Sequence, residues 1–242
     1  MSARIDPSGA PRSYRYYDFV MAAFVTVLIC SNFIGAAKQA TVDLPLLGAV
    51  TFGAGVLFFP ISYIFGDILT EVYGYGRDRR VVWAGFAGLA FATFMAWVVV
   101  SLPPAGSDFM KSYQGNLEGV FGNSWRIALG SMIAFFCGSF ANSYTLAKMK
   151  IWTQGRWLWT RTIGSTMIGE LIDSALFYFI AFYGIWATAD LMKIVVAQYI
   201  LKTSWEIVMT PVTYRVVAFL KRAENEDYYD RNTNFTPFSV KV

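Results

Sequence analysis

Six long apolar stretches, at about 18–37, 47–72, 81–102, 125–147, 162–189 and 191–220, set the terms on which this chain folds. Each supplies the roughly 20 helical residues needed to cross a hydrocarbon layer about 30 Å thick. Only 15% of the residues are charged and 56% are hydrophobic, too few charges to cover the surface of a soluble fold. The expected fold class is an all-α membrane protein of six transmembrane helices. A soluble enzyme, a disordered chain and a disulfide scaffold do not fit. Cys30 and Cys137 sit inside apolar runs and read as small buried residues, and the chain has no histidine, so no metal site, no cofactor and no histidine acid–base pair are expected. The first stretch runs on through Ser31, Asn32 and Lys38 without a small-residue cleavage pattern. It is read as a retained span rather than a signal peptide.

The basic residues set the orientation. Fourteen of the twenty fall on one side: Arg4, Arg12 and Arg15 before the first span; Arg77, Arg79 and Arg80 between the second and third; Lys148, Lys150, Arg156 and Arg161 between the fourth and fifth; and Lys221, Arg222, Arg231 and Lys241 in the tail. Lys38, Lys111, Arg126 and Lys193 fall on the other. Both termini are therefore expected in the cytoplasm, giving a cytoplasmic segment 1–17, a transmembrane domain 18–222 and a cytoplasmic tail 223–242. The net charge of +4 follows from this bias and does not indicate nucleic acid. The loop 103–124 is expected on the far side of the membrane. The acidic tail, with Glu224, Glu226, Asp227 and Asp230, is given no fold.

Ionisable side chains within the spans need a reason to be there, because charge in hydrocarbon costs several kcal/mol unless paired or wetted. At about 1.5 Å per residue, Asp173 lies roughly 18 Å beyond Arg161 and Glu170 roughly 13 Å, on nearly the same face. Lys202 is roughly 18 Å from Asp190, and Gln198, Lys202 and Glu206 form one polar stripe at i, i+4 spacing. Asp67 and Glu71 are also four apart, Asn32 shares a face with Gln39, and Asn142 with Ser139. Asp173, Glu170, Lys202, Glu206, Gln198, Asp67, Glu71, Asn32 and Asn142, with Trp205 beside the stripe, are the candidate ligand-binding set. Structural readings compete. Glu71 can reach the interface and pair with Arg79 or Arg80; Lys202 and Glu206 can form a self-contained helical pair; Asn32 and Asn142 can join helices. Glu170 and Asp173 are harder to explain structurally, since two acids share a single midplane amine, Lys202. Pro60 and Pro211 are read as bends within the second and last spans. A weak inverted repeat relates Asn32 and Lys38 to Asn142 and Lys148, and Gly66-Asp67 to Gly169-Glu170.

The segments Phe59-Pro60-Ile61-Ser62-Tyr63, Gly66-Asp67, Thr70-Glu71 and Tyr73-Gly74, together with Ser31-Asn32, Glu170-Leu171-Ile172-Asp173-Ser174 and Lys202, Trp205-Glu206 and Pro211, resemble the queuosine precursor transporter family, also called the vitamin uptake transporter family. The resemblance runs from about residue 17 to 222. It implies uptake of a 7-deazaguanine, such as 7-cyano- or 7-aminomethyl-7-deazaguanine, across the bacterial inner membrane, and a six-helix fold similar to the substrate-binding subunits of energy-coupling-factor transporters.

The chemistry of the residues agrees. A guanine-like base presents N1–H and an exocyclic amine side by side, and one carboxylate accepts both; Asp173 or Glu170 is the expected acceptor. Lys202, Asn32, Asn142 or Gln198 would donate to the base carbonyl, and Trp205 or Tyr63 would stack on the ring. Asp67 or Glu71 is expected to carry a coupling proton. The partners expected are this small molecule and membrane lipid, with a homo-oligomer allowed and nucleic acid absent. The rival readings are a binding subunit that needs a separate ATPase module and an intramembrane enzyme that uses the carboxylate pairs.

Overall fold

The computed structural model describes residues 13–34, 39–44, 48–122 and 125–239. Arg4, Arg12, Lys38 and Lys241, which enter the orientation argument, lie outside them. The chain forms α1 (Tyr17–Phe33), an antiparallel hairpin of β1 (Gln39–Leu44) and β2 (Gly48–Gly53), a 3₁₀ turn (Ala54–Leu57), α2 (Phe59–Tyr73), α3 (Tyr75–Ser101), α4 (Asp108–Phe121), α5 (Trp125–Trp152), α6 (Leu158–Phe182) and α7 (Thr188–Glu224). Six of these helices answer to the six apolar stretches, and α4 is an extra helix in the loop 103–124.

Four stretches are long and apolar enough to cross a membrane: Ala54–Tyr73, Tyr75–Ser101, the stretch ending in α5, and Leu158–Phe182. α1 is apolar but has only 17 residues. α7 has 37 residues, about 55 Å of helix, interrupted by Lys202, Glu206 and Arg215. Its outer face shows Val196, Ile200, Ile207, Val208 and Val212, side chains suited to lipid. Exposed Trp152, Trp157 and Trp159 ring one end of the bundle, and Trp97, Trp125 and Tyr183 the other, as aromatic belts do at the two membrane surfaces.

Two expectations for the second span are corrected. Its first part is a strand, β2, paired with β1 so that Thr51 faces Thr41 and Val50 faces Val42 in register; β-branched residues between glycines favour strand over helix. Pro60 then falls in the first turn of α2, where its missing N–H costs nothing, so it starts the helix instead of bending it. Pro211 does lie inside α7. α4 begins at Ser107, whose hydroxyl accepts the Met110 N–H at 3.3 Å, an N-cap that the loop reading passed over.

α5 and α6 form the most extensive helix pair, and glycine makes the approach possible. A Cβ on Gly138 would meet the Tyr63 hydroxyl, Asp173 Cβ at 2.9 Å and the Gly169 carbonyl at 3.0 Å; one on Gly169 would meet Asn142 Cβ at 2.8 Å and the Gly138 carbonyl at 2.9 Å. Gly169→Val is therefore expected to force α5 and α6 apart and to destabilise the protein by about 1–3 kcal/mol. Thermal unfolding in detergent, followed by tryptophan fluorescence, checks this. An unchanged midpoint would show that the crossing has slack.

The tail is part of the folded body. Glu224 accepts the Arg15 and Tyr16 N–H groups at 3.0 and 2.6 Å, which brings the two chain ends together. The Tyr228 N–H bonds the Val72 carbonyl at 3.2 Å, and the Tyr228 ring covers Gly74, whose φ of 87° suits only glycine comfortably. Asp230 accepts the Tyr75 N–H at 3.0 Å. Arg79 donates to the carbonyls of Asn234 and Thr236 at 2.7 and 2.8 Å, and Trp83 to that of Pro237 at 2.8 Å. The tail thus straps the ends of α2, α3 and α5. Burial pushes the Asp227 carboxyl up, but the ammonium groups of Lys150 and Lys221 outweigh it and hold it below the usual carboxylate range.

Candidate functional site

The middle of the bundle is polar where α2, α5, α6 and α7 meet. Glu170 and Asp173 project from α6 at i, i+3, and Lys202 reaches them from α7. Lys202 Nζ lies 2.9 Å from Glu170 Oε2 and 2.6 Å from Asp173 Oδ2, and 4.2 Å from the centre of the Phe59 ring. The i, i+4 pair of Lys202 with Glu206, one of the competing structural readings, does not form. Two carboxylates on the facing helix offer the ammonium more than one on its own helix can. Glu206, four residues on, is fully buried and neither of its carboxyl oxygens has a hydrogen-bond partner among the described residues.

A second polar group abuts the first. Asn142 Nδ2 on α5 donates to Asp67 Oδ1 on α2 at 2.7 Å, so the asparagine joins two helices, as one of the structural readings held. Glu206 lies within electrostatic reach of both Asp67 and Glu170. Four buried carboxyl groups therefore share a neighbourhood with one ammonium. Further polar atoms here are buried and unpartnered among the described residues: Asp67 Oδ2, Asn142 Oδ1, Tyr63 Oη, Ser174 Oγ, Thr203 Oγ1 and Trp205 Nε1. Each such atom costs about 1–3 kcal/mol. Native interiors rarely leave so many together.

Glu71 belongs to a different structure. It pairs with neither Arg79 nor Arg80, and both of its oxygens are held by cations. Arg161 Nε lies 2.7 Å from Oε2 and Nη2 2.9 Å from Oε1; Lys221 Nζ is 2.5 Å and Lys150 Nζ 3.5 Å from Oε1. Asp227 joins from the tail, 2.6 Å from Lys150 and 2.8 Å from Lys221. This hub ties α2, α5, α6 and α7 at the end where the chain termini meet. Arg79 is instead taken up by the tail.

Of the other candidates, Gln198 is half-buried on α7, one turn from Lys202, and Asn32 lies apart. Asn32 accepts the Ser131 hydroxyl at 2.6 Å and donates to the Leu28 carbonyl at 2.9 Å. It lines a cavity of about 660 Å³ between α1, α3, α4 and α5, walled by aromatic side chains that include Phe94, Trp97, Phe121 and Trp125. None of the buried acids lines this cavity. Phe177, one turn from Asp173 on the same face of α6, does. The cavity has the size of a small-molecule site.

A family model described as "Putative vitamin uptake transporter" matches residues 53–216. The chain belongs to this family. Two curated members are similar to it. The "Probable queuosine precursor transporter" of Bacillus subtilis (strain 168) is 32% identical over 197 residues, covering 81% of each chain. The "Queuosine precursor transporter" of Escherichia coli (strain K12) is 27% identical over 171 residues, covering 67% of this chain and 71% of that one. No solved structure matches the chain significantly. This family member is thus a multi-pass membrane protein whose relatives are named as transporters, not enzymes.

In this chain the matched region spans α2 to most of α7 and holds both polar groups and, of the hub, Glu71, Lys150 and Arg161, while Lys221 and Asp227 lie beyond it. Several participants carry no advance signal. Lys150 and Arg161 read as topology-setting loop charges, yet they fold onto an acid 79 and 90 residues away. Tyr63 reads as a stacking ring, but its hydroxyl is wedged at the Gly138–Gly169 crossing. The paired repeat motifs do not make paired contacts: Asn142 bonds Asp67, whereas Asn32 bonds Ser131 and not Glu170.

Proposed function

We propose that this protein imports queuosine precursors, 7-deazaguanines related to guanine, across the bacterial inner membrane, with both termini in the cytoplasm. The names of its relatives support the substrate class, and the collection of basic loops and tail at one end supports the orientation. The likeness to the substrate-binding subunits of energy-coupling-factor transporters rests on the six-helix count. A homo-oligomer remains compatible with this reading.

The observation that carries the binding role is the set of buried, unpartnered polar atoms around Lys202, Glu170, Asp173 and Glu206. A guanine-like base is rich in the complementary groups. Its N1–H and exocyclic amine would meet the carboxylate of Asp173 or Glu170; Lys202 or the Trp205 indole N–H would donate to its carbonyl; Tyr63 and Trp205 would flank its ring. Asn142, Gln198 and Asp67 complete the wall. Asn32 would act earlier, in the cavity one turn from Asp173, which serves as the approach from the non-cytoplasmic side. Glu71, with its oxygens occupied by three cations, holds the cytoplasmic end shut in this arrangement and is not a free acceptor. Transport then requires α7 to move against α2 and α6, with Pro211 as the bend.

Binding of 7-cyano- and 7-aminomethyl-7-deazaguanine to the purified protein tests the reading. Asp173→Asn removes the charge from a paired acceptor and is expected to weaken binding by about 10–100-fold. Unchanged affinity in a folded Asp173→Asn protein, or no binding of either compound to the wild type, would overturn it.

A further inference from the structure

One buried carboxyl lies outside both polar groups and outside the hub. Asp78 sits in the first turn of α3 and is fully buried. The arginines beside it in sequence turn elsewhere: Arg77 lies over the Tyr14 ring at 4.5 Å, Arg79 reaches the tail, and Arg80 is at the surface. No cation pairs with Asp78 among the described residues. Its Oδ1 makes no hydrogen bond among them, and the Thr70 hydroxyl on α2, likewise unpartnered there, faces the carboxyl. The ionisable groups around it are Asp67 on α2, Tyr17 on α1, Tyr75 on α3 and Asp230 in the tail, none of them a cation. A bare carboxylate so placed is costly, and a proton neutralises it.

Its partner separates this site from a permanently protonated acid. Ser143 on α5 donates its hydroxyl to Asp78 Oδ2, and the same Oγ lies 3.0 Å from the Ser139 carbonyl. A hydroxyl has one proton and two lone pairs. With Asp78 charged, the Ser143 proton goes to the carboxylate. With Asp78 neutral, the carboxyl donates to Ser143 Oγ, whose own proton turns to the Ser139 carbonyl. Oδ2 keeps a hydrogen bond in both states, so neither is penalised by the loss of one. Burial favours the neutral form, whereas the Ser143 donor and the start of α3 favour the charged one. The site also has a neighbour on each side. Toward the bundle centre, Asn142, next to Ser143, holds Asp67 at 2.7 Å, and a Cβ on Gly66, the residue before Asp67, would lie 3.9 Å from Asp78 Oδ1. One turn back along α3, the Tyr75 N–H meets Asp230 of the tail at 3.0 Å.

We infer that Asp78 and Ser143 form a proton-carrying station that couples uptake to a proton gradient. The proton enters with the substrate from the outer water, rests on Asp78 while the base passes, and leaves past Asp230 to the cytoplasmic water. The inference rests on the function proposed above and adds its driving ion. Glu71, one of the acids expected to carry such a proton, is held by three cations; Asp78 has none and can take one up.

The test is uptake of labelled 7-cyano- and 7-aminomethyl-7-deazaguanine into proteoliposomes of the full-length protein, with the membrane potential held at zero. At one proton per substrate, the wild type is expected to accumulate the base up to about tenfold for each pH unit by which the outside is more acidic. Asp78→Asn, which keeps the shape of the side chain, is expected to lose this accumulation and to keep exchange of labelled for unlabelled base at equal pH. A wild type that equilibrates the base without accumulating it overturns the inference and leaves the transport reading standing. So does a folded Asp78→Asn protein that still accumulates the base, or one that has lost exchange as well. If Asp78→Asn does not fold, Ser143→Ala is expected to move the midpoint of the pH profile of uptake by about one unit, and an unmoved midpoint overturns the inference. A wild type that transports neither compound overturns the function itself.

Discussion

Replacing Glu71 with Gln is expected to destabilise the protein more than any other single change at the end where its two termini meet. Glu71 is fully buried and takes the charge of Arg161, Lys150 and Lys221 on its two oxygens. Lys150 and Lys221 would keep Asp227, but Arg161 would keep only neutral acceptors, the carbonyls of Arg156 and Gly155 and the Thr153 hydroxyl. Removing one partner of a buried ion pair costs about 3–5 kcal/mol, chiefly because the remaining charge is stranded. For a chain of this size that is a fall of about 10 °C in Tm. Arg161→Met in the same molecule should restore part of the loss, since the stranded charge goes with it. A double-mutant cycle on thermal midpoints in detergent measures the coupling. A single variant within about 1 kcal/mol of wild type, below the range for a broken buried pair, would show that the hub is loosely held.

The reach of the sequence ended where pairing became non-local. The apolar runs locate α1, α3, α5, α6 and α7 to within about seven residues at either end, because a span long enough for the bilayer leaves little freedom. They misread residues 48–53, where Gly48, Val50, Thr51 and Gly53 sit in an apolar frame that period alone cannot assign to helix or strand. Counting residues along each helix brings Asp173 and Lys202 to one depth and Glu170 one turn shallower, and the structure joins all three. Counting could not show that Lys202 turns to α6 instead of to Glu206, since i, i+4 spacing reports what is possible on one helix and nothing about its neighbour. The tail is the clearest omission. Glu224, Asp227 and Asp230 were visible as acids, but their partners (Arg15 and Tyr16, Lys150 and Lys221, Tyr75) come from distant segments and could be found only by folding the chain.

Lys202→Met should have a comparable effect at the centre of the bundle and separates its two roles. The side chain is 11% exposed and its ammonium is the charge shared by Glu170 and Asp173. Without it, two carboxylates remain at i, i+3 on α6 with Glu206 close by and no counter-charge, again a loss of about 3–5 kcal/mol, which approaches the whole stability of many folded proteins. The triple variant Lys202→Met, Glu170→Gln, Asp173→Asn removes the repulsion and the stranded charge together, and its Tm should return toward that of wild type. If the acids served only to hold α6 against α7, the triple variant would be as good a protein as the original in every assay. As ligand acceptors they are needed for themselves, so the triple variant should fold and yet fail to bind either 7-deazaguanine. Thermal midpoint and ligand affinity measured on the same three preparations decide between these: recovery of both would reduce the group to structural pairing, and recovery of stability alone places the ligand on the group formed by Glu170, Asp173 and Lys202.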